Sequence, residues 1–141
     1  MPDTSVIVAA ICDWHDRYEH ARNELERRLD AGERMILAAP TLVESFAVLT
    51  RLPPAYRVSA REATVLIETS FLSGSEIVAL SGDDYAQLVR AAPDDGIAGG
   101  RVYDRIIAAC AVRAGVATLL TFNVRDFTRL PLGPVAVVVP E

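Results

Sequence analysis

Three acids and one amide stand at the ends of apolar segments, where side chains are free to do chemistry. Asp104 opens the stretch YDRIIAACAVRAGVATLLTFN (103–123) and Asn123 closes it; between them, Ile106 to Leu120 is apolar except for Arg113, Gly115 and Thr118. Glu44 follows the apolar segment MILAA (35–39), and Asp3 precedes a helix-forming run that begins near Ser5. Carboxylate oxygens are hard donors, suited to Mg²⁺ or Mn²⁺ where no His or Cys converges with them. The same residues also have structural uses. Asp3 and Asp104 can cap helices, Thr41 and Glu44 fit a T-x-x-E capping box, and Asn123 and Asp126 fit a turn. Spacing along the chain leaves both uses open.

The elements that must position these groups alternate. Val6 to Cys12 begins a helix, and the polar turn DWHD follows it. RYEHARNELERRLDAG is amphipathic, with Tyr18, Ala21, Leu25 and Leu29 at helical spacing and Gly32 as its stop. MILAA reads as a strand; Pro40 and Thr41 open a helix that Pro53 and Pro54 end. Ser59 with Glu62 forms a capping box for the next helix. EIVAL (76–80) is a strand, DDYAQLVRAA (83–92) a helix and PDDGIAGG a loop. The helix holding Asp104 ends near Gly115, before the strands ATLLT (117–121) and VAVVV (135–139). Continuous apolar strands alternating with helices predict an α/β fold with a parallel sheet covered on both faces. Ligands of such sheets bind off the carboxyl ends of the strands. Asp3, Glu44 and Asn123 map to that rim. Asp104 heads a helix leading down into the strand that carries Asn123, which on spacing alone puts it at the opposite rim.

Composition bounds the rest. A chain of 141 residues is one domain, 1–141, with a real core. Apolar residues are 51% and aromatics 6%, so that core is aliphatic. No apolar run reaches the ~20 residues of a membrane span, and no secretory leader is evident. Cys12 and Cys110 are isolated and fit neither a redox nor a zinc pattern. A reduced, cytoplasmic protein without membrane association is expected. The net charge of -5 argues against a general nucleic-acid coat. All 14 basic residues are Arg, which a GC-rich genome explains. His15 and His20, five apart, read as solvated helix residues.

DTSVIVAA, TLVESFAVLTRLP and GGRVYDRIIAACAVRAGVATLLTFNVRDF, in that order and spacing, resemble PIN-domain ribonucleases, and more narrowly the VapC-type toxins of bacterial toxin–antitoxin pairs. The resemblance spans essentially the whole chain. It implies a three-layer α/β/α sandwich around a central parallel sheet, and it implies that Asp104 returns to the carboxyl rim. It places the family's acidic cluster on Asp3, Glu44 and Asp104, with Asn123 at a fourth position that is Asp in many PIN nucleases; Asp126 is a nearby substitute. The first three are then the ligands of Mg²⁺ or Mn²⁺, which would lower the pKa of a bound water and offset transition-state charge. Endonucleolytic RNA cleavage is the implied activity, with tRNA or ribosomal RNA loops as typical targets. A small antitoxin with an Arg-bearing tail and a homodimer are the implied partners, with Trp14 and Tyr56 as candidate contacts.

One departure bears on activity. The family's first strand is central and ends at the first Asp, yet here Met1 and Pro2 alone precede Asp3, and Pro cannot donate to a ladder. The expectation is a stub, with Asp3 on a flexible terminus and weak activity until strand residues are added upstream. A PIN module that binds RNA or an antitoxin without cleaving is the alternative. A phosphoacceptor receiver domain needs a Lys that this chain lacks, and a haloacid-dehalogenase-type phosphatase needs Asp-x-Asp where the sequence has DTS.

Overall fold

A computed structural model describes all 141 residues. In chain order the elements are α1 (Thr4–Ile11), α2 (Tyr18–Asp30), β1 (Ile36–Ala38), α3 (Ala39–Arg51), α4 (Ala60–Ile67), β2 (Glu76–Val78), α5 (Gly82–Ala91), α6 (Arg101–Ala114), β3 (Thr118–Leu120), α7 (Val124–Phe127) and β4 (Ala136–Val138). A single wider turn, Glu68–Leu72, continues α4. Several of these helices begin or end in local chemistry that the sequence displays. Ser59 with Glu62 and Ser81 with Asp84 make complete capping boxes for α4 and α5. Gly115 ends α6 at φ 61°, a left-handed conformation that a side chain resists.

The strands pair in parallel, as expected. Ile36–Ala38 run beside Glu76–Val78, and Thr118–Leu120 beside Ala136–Val138. These are two two-stranded sheets, β1-β2 and β3-β4, and in them β1 and β3 are the more buried strands, with Leu37 and Leu119 fully enclosed. β2 and β4 are not covered on both faces, contrary to the expectation from the sequence: Ile77 of β2 is half exposed, and β4 is partly open along its length.

The amino-terminal stub is not loose, which corrects the expectation of a flexible Asp3. Pro2 bridges Leu120 in parallel. The Leu120 amide donates to the Met1 carbonyl at 2.8 Å, and the Asp3 amide donates to the Leu120 carbonyl at 2.9 Å. A ladder uses alternate residues of a strand on each side. The bonds to β3 therefore pass through Met1 and Asp3, and the amide that Pro2 lacks is not called upon. Met1, Pro2 and Asp3 are all buried.

Three apolar clusters fill the space around the strands. Ile107, Ala108, Cys110 and Ala111 of α6 pack with Leu119, Phe127 and Val135. Val6 and Ile7 of α1 pack with Ala21, Leu25, Leu37 and Leu120. Val8 and Leu49 meet Ala63 and Ile67 where α1, α3 and α4 converge. These helices hold the rim described next.

Candidate active site

Asp3 is the most firmly built of the candidate residues. It is 3% exposed and caps α1, its Oδ1 accepting from the Val6 amide at 3.0 Å and from the Ser5 hydroxyl at 2.7 Å. Its Oδ2 accepts from the Thr121 hydroxyl at 2.6 Å. Burial pushes its pKa up, and these hydrogen bonds pull against that shift by stabilising the anion. Asp3 is thus the helix cap that one of the two readings offered, and it also lines the cleft described below.

The hydroxyls that hold Asp3 are themselves held. Ser5 Oγ accepts from the Phe122 amide at 3.0 Å, and Thr121 Oγ1 from the Asn123 amide at 2.8 Å. The segment Thr121-Phe122-Asn123, leaving the carboxyl end of β3, is therefore stitched to the start of α1. Sequence reasoning missed Ser5 and Thr121. Their signal was present: each is a hydroxyl two residues from a candidate, in DTS and in TFN.

Glu44 is not part of a capping box. The N-cap of α3 is Ala38, with Pro40 in the first turn, so Thr41 lies inside the helix with its hydroxyl buried and unpartnered. Proline is favoured at helix starts because its φ is preset and its missing amide has no partner there anyway. This moves the helix start upstream of Thr41. Glu44 instead accepts from the Thr4 hydroxyl at 2.5 Å, a contact to the first residue of α1, next to Asp3 in the chain.

Asp104 is likewise no N-cap; it sits in the first turn of α6, whose cap position is Gly100. It does not fall at the opposite rim. A helix that precedes a parallel strand packs antiparallel to it, so its first turn lies beside the strand's carboxyl end. Asp3, Glu44, Asp104 and Asn123 together line one cleft of about 380 Å³. The Asp104 pKa is raised to about 6, first by burial and then by the charges of Asp126, Asp3 and Glu44; Arg101 acts weakly against this. Asp126, in α7, is thus near enough to act on Asp104 electrically, although it does not line the cleft.

His15 also lines this cleft, a correction to its reading as a solvated helix residue. It lies in the turn between α1 and α2, where its Nδ1 accepts the Arg17 amide at 3.0 Å. Trp14 beside it is exposed and stacks on Tyr56, with ring centroids 4.3 Å apart.

The donor set fits a hard divalent cation. It consists of carboxylate and amide oxygens, and three neighbouring carboxylates already destabilise the charged form of Asp104. The acids share the cleft without closing into a ready-made cage. A cation between them would offset the like charges that raise the Asp104 pKa.

Comparison with known proteins gives the family and the fold. A family model described as PIN domain matches residues 1–132. Ribonuclease VapC40 of Mycobacterium tuberculosis is 36% identical over 124 residues, covering 88% of this chain and 86% of that protein. Among solved structures, VapBC2 from Rickettsia felis bound to a DNA fragment from its promoter is similar with a TM-score of 0.68 and 23% identity, over 98% of this chain and 97% of that one. The sarcin-ricin loop cleaving toxin VapC20 of Mycobacterium tuberculosis is similar with a TM-score of 0.61 and 16% identity, over 84% and 85% of the two chains. The last two likenesses establish the α/β/α fold.

Proposed function

This chain belongs to the PIN-domain family, and from that premise we propose that it is the toxin of a toxin–antitoxin pair, a divalent-metal-dependent endoribonuclease that hydrolyses RNA phosphodiester bonds. The observation that carries the reading is the cleft itself, where Asp3, Glu44, Asp104 and Asn123 arrive from four separate elements. The name of the ribonuclease at 36% identity supports the same activity.

Asp3 and Asp104 would hold the ion, with Glu44 beside them, and Asn123 would orient water or a phosphate oxygen from the loop after β3. Mg²⁺ or Mn²⁺ suits these ligands, and when bound it supplies a more acidic water and charge compensation at phosphorus. Thr121 and Ser5 aim Asp3 and, by donating to its carboxylate, work against the rise in its pKa that burial causes. The support for a module that binds without cleaving was an unheld Asp3, and three hydrogen bonds hold it.

RNA is the substrate in this reading, with tRNA or ribosomal RNA loops as the class to test first. A small antitoxin with a basic tail suits the acidic cleft, and the net charge of -5 favours its approach. A cytoplasmic homodimer completes the picture; no helix is long and apolar enough to cross a membrane. The test is cleavage of total RNA with and without Mg²⁺ or Mn²⁺, beside the Asp104→Asn variant. Cleavage that persists in chelator, or in that variant, would overturn the mechanism.

A further inference from the structure

A second cavity, of about 500 Å³, opens beside the acidic cleft and has the opposite character. Arg101, Arg105 and Arg129 line it with Thr128 and the apolar Ile97 and Leu130. Arg101 lies one turn before Asp104 on α6, and Arg105 follows Asp104 directly, so cavity and cleft share the same end of that helix.

The arginines are poorly matched within the protein. Asp95 is the one acid lining the cavity, and it reaches Arg105 at a long 3.4 Å. The Arg105 Nε is buried without any hydrogen-bond partner. Arg101 finds one carbonyl, that of Gly96, again at 3.4 Å. Three guanidinium groups against one carboxylate is an unfavourable gathering in a chain whose net charge is -5. Buried donors are normally satisfied, and an unpaired one points to a missing acceptor. Guanidinium forks match phosphate oxygens bidentately. The amino end of α6, with its positive dipole, faces the same region.

We propose that Arg101, Arg105 and Arg129 form a subsite for a backbone phosphate of single-stranded RNA adjoining the phosphodiester held at Asp3 and Asp104. The subsite rests on the ribonuclease reading for its ligand. It gives that reading a direction, because the strand must run from the acidic cleft across the first turn of α6 toward Arg129. It also explains how an acidic protein holds a polyanion: cations are concentrated where the chain passes and not spread over the surface.

The test is binding of a fluorescently labelled single-stranded RNA to the Asp104→Asn protein, measured across a salt series. Arg129→Gln and Arg101→Gln, both at exposed positions, should each weaken binding about 3- to 10-fold near 0.1 M salt and reduce the slope of log affinity against log salt by about 0.7. Arg129→Lys should retain part of the affinity, since it keeps the charge and loses the fork. Arg61→Gln on α4, remote from both cavities, should match the parent. Melting curves confirm that each variant folds. If the folded Arg101→Gln/Arg129→Gln protein binds RNA with unchanged affinity and slope, or if the parent binds no RNA, the subsite is refuted. Cleavage by the native chain is scored separately. Loss of binding in the arginine variants without any native cleavage would sink the nuclease reading and leave the subsite standing; native cleavage with binding indifferent to the arginines would do the reverse.

Discussion

Thr121 donates its hydroxyl to Asp3, 118 positions away, at 2.6 Å while accepting the Asn123 backbone amide at 2.8 Å, so one side chain joins the first candidate acid to the last candidate residue. Neither Asp3 nor Asn123 alone fixes the geometry of the cleft. The buried Thr121 hydroxyl, with its donor and acceptor sides both in use, fixes how these two stand relative to each other.

Thr121→Val keeps the shape and removes both bonds. Asp3 loses a donor that favours its charged form, and the Asn123 amide loses its acceptor. Affinity for Mn²⁺ should fall roughly 10- to 100-fold, the range seen when groups behind metal ligands are altered. Stability should fall by about 1–3 kcal/mol from the unsatisfied groups left behind. Calorimetric titration and thermal melting read the two effects; unaltered Mn²⁺ affinity would remove Thr121 from the site.

Asp104→Asn should abolish metal-dependent cleavage without harming the fold. Burial and the charges of Asp126, Asp3 and Glu44 raise the pKa of Asp104 from 3.8 to about 6. The folded state thus binds a proton that the unfolded state has released across that window. Stability contributed by this group is present at low pH and declines as pH rises from about 4 to about 6. Asparagine is neutral throughout and escapes the repulsion. The metal-free variant should melt no lower than the wild type at pH 7.5, and its melting point should vary less between pH 4 and pH 6. A clear drop in melting temperature at pH 7.5 would show that Asp104 is structural.

Metal affinity carries the same signature with the opposite sense. Below about 6 the ion must displace a proton from Asp104; above it the carboxylate is already charged. The Mn²⁺ affinity of the wild type should rise with pH up to about 6 and then level. Asp3, raised in the same direction by burial, adds to the slope. A flat affinity from pH 5 to pH 7 would mean that Asp104 is no ligand.

The parts of this molecule that the sequence displays are those written in local pattern. The capping box at Ser59 and Glu62, the glycine stops at Gly32 and Gly115 and the apolar strands appear where their residues predict them. What failed was context. Thr41 and Glu44 carry a capping pattern, but Pro40 had already opened the helix upstream. Pro2 looked disqualifying for a strand, but a parallel ladder asks one side of the chain for Met1 and Asp3 alone. The resemblance to PIN domains, and not the periodicity, brought Asp104 to the right rim. The hydroxyls of Ser5 and Thr121 were passed over because a hydroxyl carries no charge, and its importance lies in what it orients.

The proposed homodimer has a surface suited to it. Val43 is 71% exposed and Tyr103 52% exposed, and with Ala39, Pro40, Ala47 and Ile106 they line a shallow depression of about 580 Å³ shared by α3 and α6. Glu44 lines both this depression and the acidic cleft. An apolar face bordering a polar site is the kind of surface that proteins reserve for partners. A second copy seated there would also close one side of each cleft and lower its solvent access. Val43→Asp places a charge in the middle of that face, where burial on association would be strongly disfavoured. The wild type should sediment as a dimer at tens of micromolar and the variant as a monomer, with the same melting temperature within about 2 °C because the position is on the surface. A wild type that sediments as a monomer at that concentration, or a Val43→Asp variant that remains dimeric, would show that this face does not join two copies.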